Sequence, residues 1–141
     1  MNSENLNNKG RAFTISNPES LSNPAPYAYS HLGVVPAGQK LIFVAGQGGS
    51  GAGTDDFREQ CQSAITNVDK VMKAAGGGMK DIVKFTIYIV EHTEEKHKIL
   101  IDELHKKFGD LYTPTCSLIP VPRLSYYKSL IEIEAIATLK E

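Results

Sequence analysis

Ile82-Val83-Lys84-Phe85-Thr86-Ile87-Tyr88-Ile89-Val90 is the stretch on which the fold turns. Val83, Phe85, Ile87 and Ile89 alternate with Lys84, Thr86 and Tyr88, the period of two expected of a strand with one buried face. A helical pattern stands on either side of it. Upstream, Phe57, Cys61, Ala64, Val68, Met72 and Ala75 recur at steps of three and four and share one face, leaving Arg58, Gln62 and Lys70 to water. Thr54 can cap that helix, Asp55 and Asp56 favour its positive end, and Gly76-Gly77-Gly78 stops it. Downstream, a second helix starts near Thr93, carries Glu94 and Glu95 in its first turn, and ends at Gly109. Its apolar stripe is Leu100, Ile101, Leu104 and Phe108.

Farther out the pattern is again that of strands. Residues 115–121 and 130–139 close the chain, and a short strand is expected at 12–15. Residues 29–35 and 40–45 are rich in strand formers, and Pro36-Ala37-Gly38-Gln39 between them has turn chemistry, so a hairpin is expected. The order is β-β-β-α-β-α-β-β, an α+β class. Two helices separated by one strand most simply cover one face of a mixed sheet of about six strands. The other face would carry Tyr88, Leu130 and Ile136 beside Glu132 and Glu134. That is too apolar for plain solvent, and an oligomer whose sheets face one another is expected. Residues 1–10 read as a flexible N-terminal arm and 11–141 as a single domain; the Asn/Ser/Pro-rich stretch 16–26 reads as exposed.

Bulk composition agrees with one domain. The chain has 141 residues, 41% apolar and 22% charged, with net charge -1, the profile of a globular protein. A sequence pI near 6.4, with Lys and Arg interleaved among acids, argues against a nucleic-acid binder, which would show a basic stripe. Cys61 and Cys116 are the two cysteines, too few for a disulfide framework and lacking metal-ligand spacing. The polar start lacks the apolar core of a signal peptide, and the apolar run around residues 87–90 is far too short to span a bilayer. A cytoplasmic protein with no membrane partner is the expectation.

The closing segment Leu130-Ile131-Glu132-Ile133-Glu134-Ala135-Ile136-Ala137 resembles the last strand of the Rid/YjgF family. Further marks follow in order: Pro26-Tyr27 before the first expected hairpin, Phe43-Val44-Ala45-Gly46-Gln47, and Ala74-Ala75-Gly76 followed by Asp81-Ile82-Val83-Lys84. The resemblance spans residues 25–139. It implies a chorismate-mutase-like fold, a homotrimer, and small-molecule clefts at subunit interfaces. It also implies cofactor- and metal-independent hydrolysis of reactive imines and enamines to a keto acid and ammonia. In that chemistry an arginine near the start of the penultimate strand grips the substrate carboxylate, and a glutamate on the last strand positions water.

At the critical place this chain departs from the pattern. The family's Pro-Ala-Arg-Ser reads Pro114-Thr115-Cys116-Ser117, so Cys116 stands where the arginine would. Leu118 occupies a nearby position, and Ile101 replaces a polar residue on the second helix. A guanidinium offers a carboxylate charge and a planar fork; a thiol offers neither. Arg123, seven residues on, falls on the opposite strand face and is no substitute. The sequence resembles the family members that lack this arginine at Tyr29-Ser30-His31 and in its longer connection over 124–130.

The resemblance makes Glu132 the expected catalytic group, orienting water or taking its proton. Glu134, about 7 Å away on the same strand face, reads as structural. Tyr27 matches a residue that stacks on or bonds the ligand, and Gly46 and Gln47 end a strand where bare backbone can approach it. Cys116 and Leu118 read as cleft residues, with no base beside Cys116 to make it a nucleophile. His31 is a further candidate for proton exchange, while His92, His97 and His105 read as surface or partly buried. Gly46-Gln47-Gly48-Gly49 with Gly51 and Gly53 lacks the Lys-Ser/Thr ending of a phosphate loop and reads as a flexible lid. The functional expectation is a hydrolase or deaminase acting on a small reactive imine- or enamine-type metabolite other than a typical 2-imino acid. The alternatives are a non-catalytic ligand-binding or regulatory trimer and, third, an endoribonuclease or translation inhibitor.

Overall fold

The computed structural model describes residues 8–49 and 53–141. Its strands are β1 (Thr14–Ser16), β2 (Leu32–Val34), β3 (Lys40–Gly48), β4 (Ile82–Val90), β5 (Thr115–Val121) and β6 (Ile131–Leu139). Helix α1 (Phe57–Ala74) precedes β4, and helix α2 (Glu94–Phe108) lies between β4 and β5. Strands β3, β6, β4 and β5 form one sheet in that order, with β4–β5 parallel and the other pairs antiparallel. The mixed sheet with both helices on one face is the α+β arrangement expected of the pattern.

Alternation along β4 and β6 builds the core. Phe85, Ile87 and Ile89 on β4, with Ile131, Ile133, Ala135 and Ala137 on β6, face the helices and are almost wholly buried. Burying a large aliphatic or aromatic side chain contributes about 1.5–3 kcal/mol, so this layer dominates the fold's stability. Helix α1 presents Phe57, Cys61, Ala64, Val68 and Met72 to it. Helix α2 adds Leu100, Leu104 and Phe108. The helices are joined polar-side by Arg58, which pairs with Asp102 at 2.7 Å and with the buried Glu103.

The helix ends show how local chemistry was resolved. Asp56, two residues beyond Thr54, is the N-cap of α1, its carboxylate accepting from Glu59 N at 3.0 Å. Thr54 instead accepts from the Asp56 backbone N–H, closing the turn that leads into the cap. In α2 the cap is Thr93, accepting from Lys96 N. Gln60 is buried on α1; its amide donates to the carbonyls of Thr54 and Lys128 and accepts from Leu130 N–H. One side chain therefore pins the segments before α1 and before β6.

Three expectations are corrected at the edges of the sheet. The hairpin over residues 29–45 does not form: β2 pairs with β1 in a separate two-stranded sheet, while β3 pairs with β6. The main sheet accordingly has four strands, and turn chemistry at 36–39 serves a link between two sheets. Leu130 packs against the helix-side core, held there by the Gln60 bond to its N–H. Within the expected arm 1–10, residues 8–10 are described: Asn8 bonds both the N–H and the carbonyl of Ile15, and Lys80 Nζ donates to Gly10 O. Residues 1–7 lie outside the described residues.

The small sheet has its own core of Phe13, Ile15 and Val83, with Val35 and Tyr112 against it. Arg11 anchors it, donating to the carbonyls of Lys80 and Tyr112. Its attachment to the main sheet is at β5, where Ser30 bridges Thr115 in parallel and Ser30 N donates to Pro114 O. The open face of the main sheet exposes Leu41, Phe43 and Ile119 among Lys84, Thr86, Tyr88, Glu132 and Glu134.

Candidate functional site

Two groups of side chains are brought together, one on each face of the main sheet. The first lies on the helix side, at the β5 edge. Cys116 pairs with Phe85 and Leu118 with Ile87 across the parallel ladder. Directly paired residues point to the same face, so the thiol and Leu118 follow the core residues toward the helices. Leu100 and Leu104 of α2 form the facing wall, with His97 one turn earlier on the same stripe. Tyr27 and Tyr29 complete a hollow of about 240 Å³.

The tyrosine wall is held by a 3-10 turn, Ala25–Tyr27, which ends at Ala28 with φ 58°. A non-glycine residue in the left-handed region is uncommon and strained; here Ala28 is buried against the core. His105 of α2 fixes the turn from the other side, its Nε2 lying 2.8 Å from Ala25 O. Burial pushes the Cys116 thiol up to about 12, with Lys84 opposing weakly. Cys116 is thus an uncharged wall at neutral pH.

On the open face, Glu132 pairs with Tyr88 on one side and with Gly48 on the other. The β3–β6 register is broken between Val44 and Gln47, and Gly46 lies in that bulge. The Glu132 carboxylate rests on it: a Cβ at position 46 would stand 2.6 Å from Glu132 Cδ. Only glycine leaves room for this placement. Its neighbour Glu134 is engaged, accepting from Tyr88 Oη at 2.8 Å. That bond is the main cause raising the Tyr88 pKa. Among the described residues, no hydrogen bond or ion pair engages the Glu132 carboxylate. Gln47 turns its amide to Ala45 O at 3.1 Å.

Within one chain, Cys116 and Glu132 are therefore on opposite faces of the sheet. Tyr27, Cys116 and Leu118 share the helix-side hollow; Glu132, Gly46 and Gln47 cluster at the β3–β6 bulge. His31 belongs to neither. It borders a second, open-face hollow of about 550 Å³ with Lys84 and Ser117, touching Cys116 and Tyr29 at its rim. Its Nε2 lies 2.9 Å from Ser22 O, and its ring meets Tyr29 edge-on. Ile101 is half-buried against the main core and lines neither hollow. Arg123 lies beyond the end of β5, its guanidinium donating to the carbonyls of Leu124 and Ser125. The expected glycine-rich lid falls partly outside the described residues, at 50–52; Gly49 packs directly on the Gln60 backbone.

The sequence reading missed His97, Leu100, Leu104 and Tyr29 as walls of the hollow. A signal was present: residues 97, 100 and 104 lie at i, i+3 and i+7, one helical face. Among the described residues, no group of three or more His, Cys, Asp and Glu side chains stands close enough to hold a metal ion. No helix among them is long and apolar enough to cross a membrane.

The family model described as Endoribonuclease L-PSP matches residues 21–139. TdcF of Escherichia coli strain K12 is 36% identical over 85 residues, which are 58% of this chain and 63% of that protein; the match spans less than two thirds of that relative. The 2-iminobutanoate/2-iminopropanoate deaminase of Dermatophagoides farinae is 28% identical over 104 residues, 70% of this chain and 78% of that one. Among solved structures, YyfB of Yersinia pestis superposes with a TM-score of 0.85 at 26% identity, covering 91% of this chain and 99% of that one. TdcF of Escherichia coli with bound serine gives a TM-score of 0.61 at 29% identity, covering 82% and 95%. With the family model matched over most of its length, and the same fold in these relatives, this chain belongs to the Rid/YjgF family.

Proposed function

We propose that the protein hydrolyses a small, reactive imine- or enamine-type metabolite in a cleft between subunits of a homotrimer, without a cofactor. The observation that carries this reading is the pair of carboxylates on β6. Glu134 is committed to Tyr88, whereas Glu132 stands unengaged over the bare backbone of Gly46. A carboxylate so placed can orient a water molecule and take its proton as the oxygen adds to a C=N carbon. Water and imine then give a carbonyl compound and ammonia, with atoms and charge balanced. Because Cys116 and Glu132 lie on opposite sheet faces, a complete site needs the hollow of one subunit beside the Glu132 of its neighbour. Exposed Leu41, Phe43 and Ile119 on the open face supply apolar surface for that contact.

The substrate differs from a typical 2-imino acid. Cys116 stands where the resemblance places a carboxylate-gripping arginine, and its thiol is neutral. The likeness to the imine deaminase of Dermatophagoides farinae supports C=N hydrolysis as the reaction class. The family description as an endoribonuclease finds little support in a chain of net charge -1, with two glutamates on its open face.

The test is ammonia release from imines generated in situ, with and without a carboxylate, by wild type and Glu132→Gln. Acceleration that Glu132→Gln abolishes supports the assignment. Acceleration that survives Glu132→Gln refutes the role of Glu132. Ligand binding with no turnover of any imine favours a non-catalytic binding trimer instead.

A further inference from the structure

We propose that the helix-side hollow at β5 takes an uncharged, flat apolar group such as an aromatic ring, with His97 bonding the ligand's polar end. This rests on the reading of that hollow as half of the ligand cleft, and it names what the hollow selects. Three observations carry it. The first is the lining: Tyr27, Leu100, Leu104, Cys116 and Leu118 are aromatic, aliphatic or thiol, and no Lys, Arg, Asp or Glu stands among the walls. Lys84 is on the other face of the sheet, in the open-face hollow. A ligand carboxylate would meet no Lys or Arg there, only hydrogen-bond donors of the His97 ring and the tyrosines, a weak match for a desolvated charge.

The second is size. An apolar cavity of roughly 150 Å³ holds benzene; the hollow here is about 240 Å³, room for one ring and a short substituent. The third is the placement of polarity. Apart from the tyrosine hydroxyls and the weakly donating Cys116 thiol, His97 is the one hydrogen-bonding side chain of the lining, one turn from Leu100. Pockets of this type use apolar walls for affinity and a few polar groups for orientation. An imidazole there can donate to or accept from the nitrogen or oxygen of a neutral C=N compound. The burial that keeps Cys116 protonated agrees with this, because a thiolate wall would repel the π-face of a ring.

The experiment is ligand-observed NMR on the intact protein with benzaldoxime, an uncharged aromatic C=N compound, against benzoate and 2-oxobutanoate. Benzaldoxime is expected to bind at least about tenfold more tightly than either anion, given the weak match the lining offers a desolvated charge. Cys116→Arg is expected to reverse the order, by giving the carboxylate a two-pronged partner. His97→Ala, on a half-exposed helix position that leaves the core untouched, is expected to weaken benzaldoxime several-fold without helping benzoate. Benzoate or 2-oxobutanoate binding wild type as tightly as benzaldoxime overturns the proposal, as does benzaldoxime failing to bind at millimolar concentration. Binding is read without turnover. A protein that hydrolyses no imine yet shows this preference refutes the hydrolase reading alone. Turnover of 2-iminopropanoate with benzoate as the tighter ligand refutes the specificity of the hollow alone.

Discussion

Adding one methyl group at Gly46 separates chemistry from stability. In Gly46→Ala the new Cβ would lie 2.6 Å from Glu132 Cδ and 2.7 Å from its Oε1. Ordinary contact needs about 3.5–4.0 Å, so the carboxylate must retreat by about 1 Å. Glu132 is partly exposed, and a side chain pushed off its rotamer costs about 0.5–1.5 kcal/mol. The fold should therefore lose no more than about 1.5 kcal/mol in urea unfolding. A 1 Å misplacement of a positioned group can cost about a hundredfold in rate, and imine hydrolysis should fall by about that factor. Gly49→Ala is the control. There the Cβ would lie 2.3 Å from the carbonyl oxygen of Gln60, helix backbone that cannot swing aside, and overpacking of this kind costs about 1–3 kcal/mol. The expected pattern is crossed: Gly46→Ala stable and slow, Gly49→Ala unstable with near-normal turnover per folded molecule. Full turnover in Gly46→Ala would refute the argument that Glu132 acts from its seat on that glycine.

Gln60→Ala should lower unfolding free energy by about 3 kcal/mol, from three hydrogen bonds at about 1 kcal/mol each; a urea titration showing under 1 kcal/mol would contradict this. Cys61 and Cys116 are both raised by burial from the ordinary thiol value of 9.0 to about 12. A thiol pKa higher in the folded state means the unfolded chain loses its protons first, so stability is full below pH 9 and declines from there toward 12. Native protein should resist thiol alkylation at pH 8, and Cys116→Ala should flatten the alkaline loss of stability; rapid native labelling of both thiols would count against it. Phe43, 73% exposed on the open face, should be covered if that face forms the proposed subunit contact. Phe43→Asp is expected to give a single-chain mass by light scattering, and an unchanged oligomer would exclude this face as the contact.

What could be read from the sequence followed the strength of the local pattern. The alternation of β4 and β6 and the stripe of α1 were legible because burial imposes a period on neighbouring residues. The hairpin was misread because turn residues at 36–39 specify a change of direction and say nothing of the partner. The partner of β2 was decided by distant residues: Val83 and Tyr112 give Ile15 and Phe13 something to pack on, and Pro114 accepts from Ser30. At the site, the resemblance put Cys116 at the arginine's position on the strength of four residues, Pro114 to Ser117. The separation of Cys116 from Glu132 was not legible, since it depends on both strands' register with β4. His97 reads as surface or partly buried when taken alone; its place one turn before Leu100 on the apolar stripe is what brings it to the hollow.

The anchoring of the small sheet has a consequence for the order of events in synthesis. Strands β1 and β2 pair with each other, yet the contacts that fasten them to the rest of the fold come from residues synthesised later. Arg11 waits for the carbonyls of Lys80 and Tyr112, 69 and 101 residues on, and Ser30 waits for Pro114. Contacts of such long sequence separation close slowly. Until Val83 and Tyr112 have been made, then, Phe13 and Ile15 have no complete core to enter. Exposed apolar side chains of this kind are where unfinished chains associate wrongly.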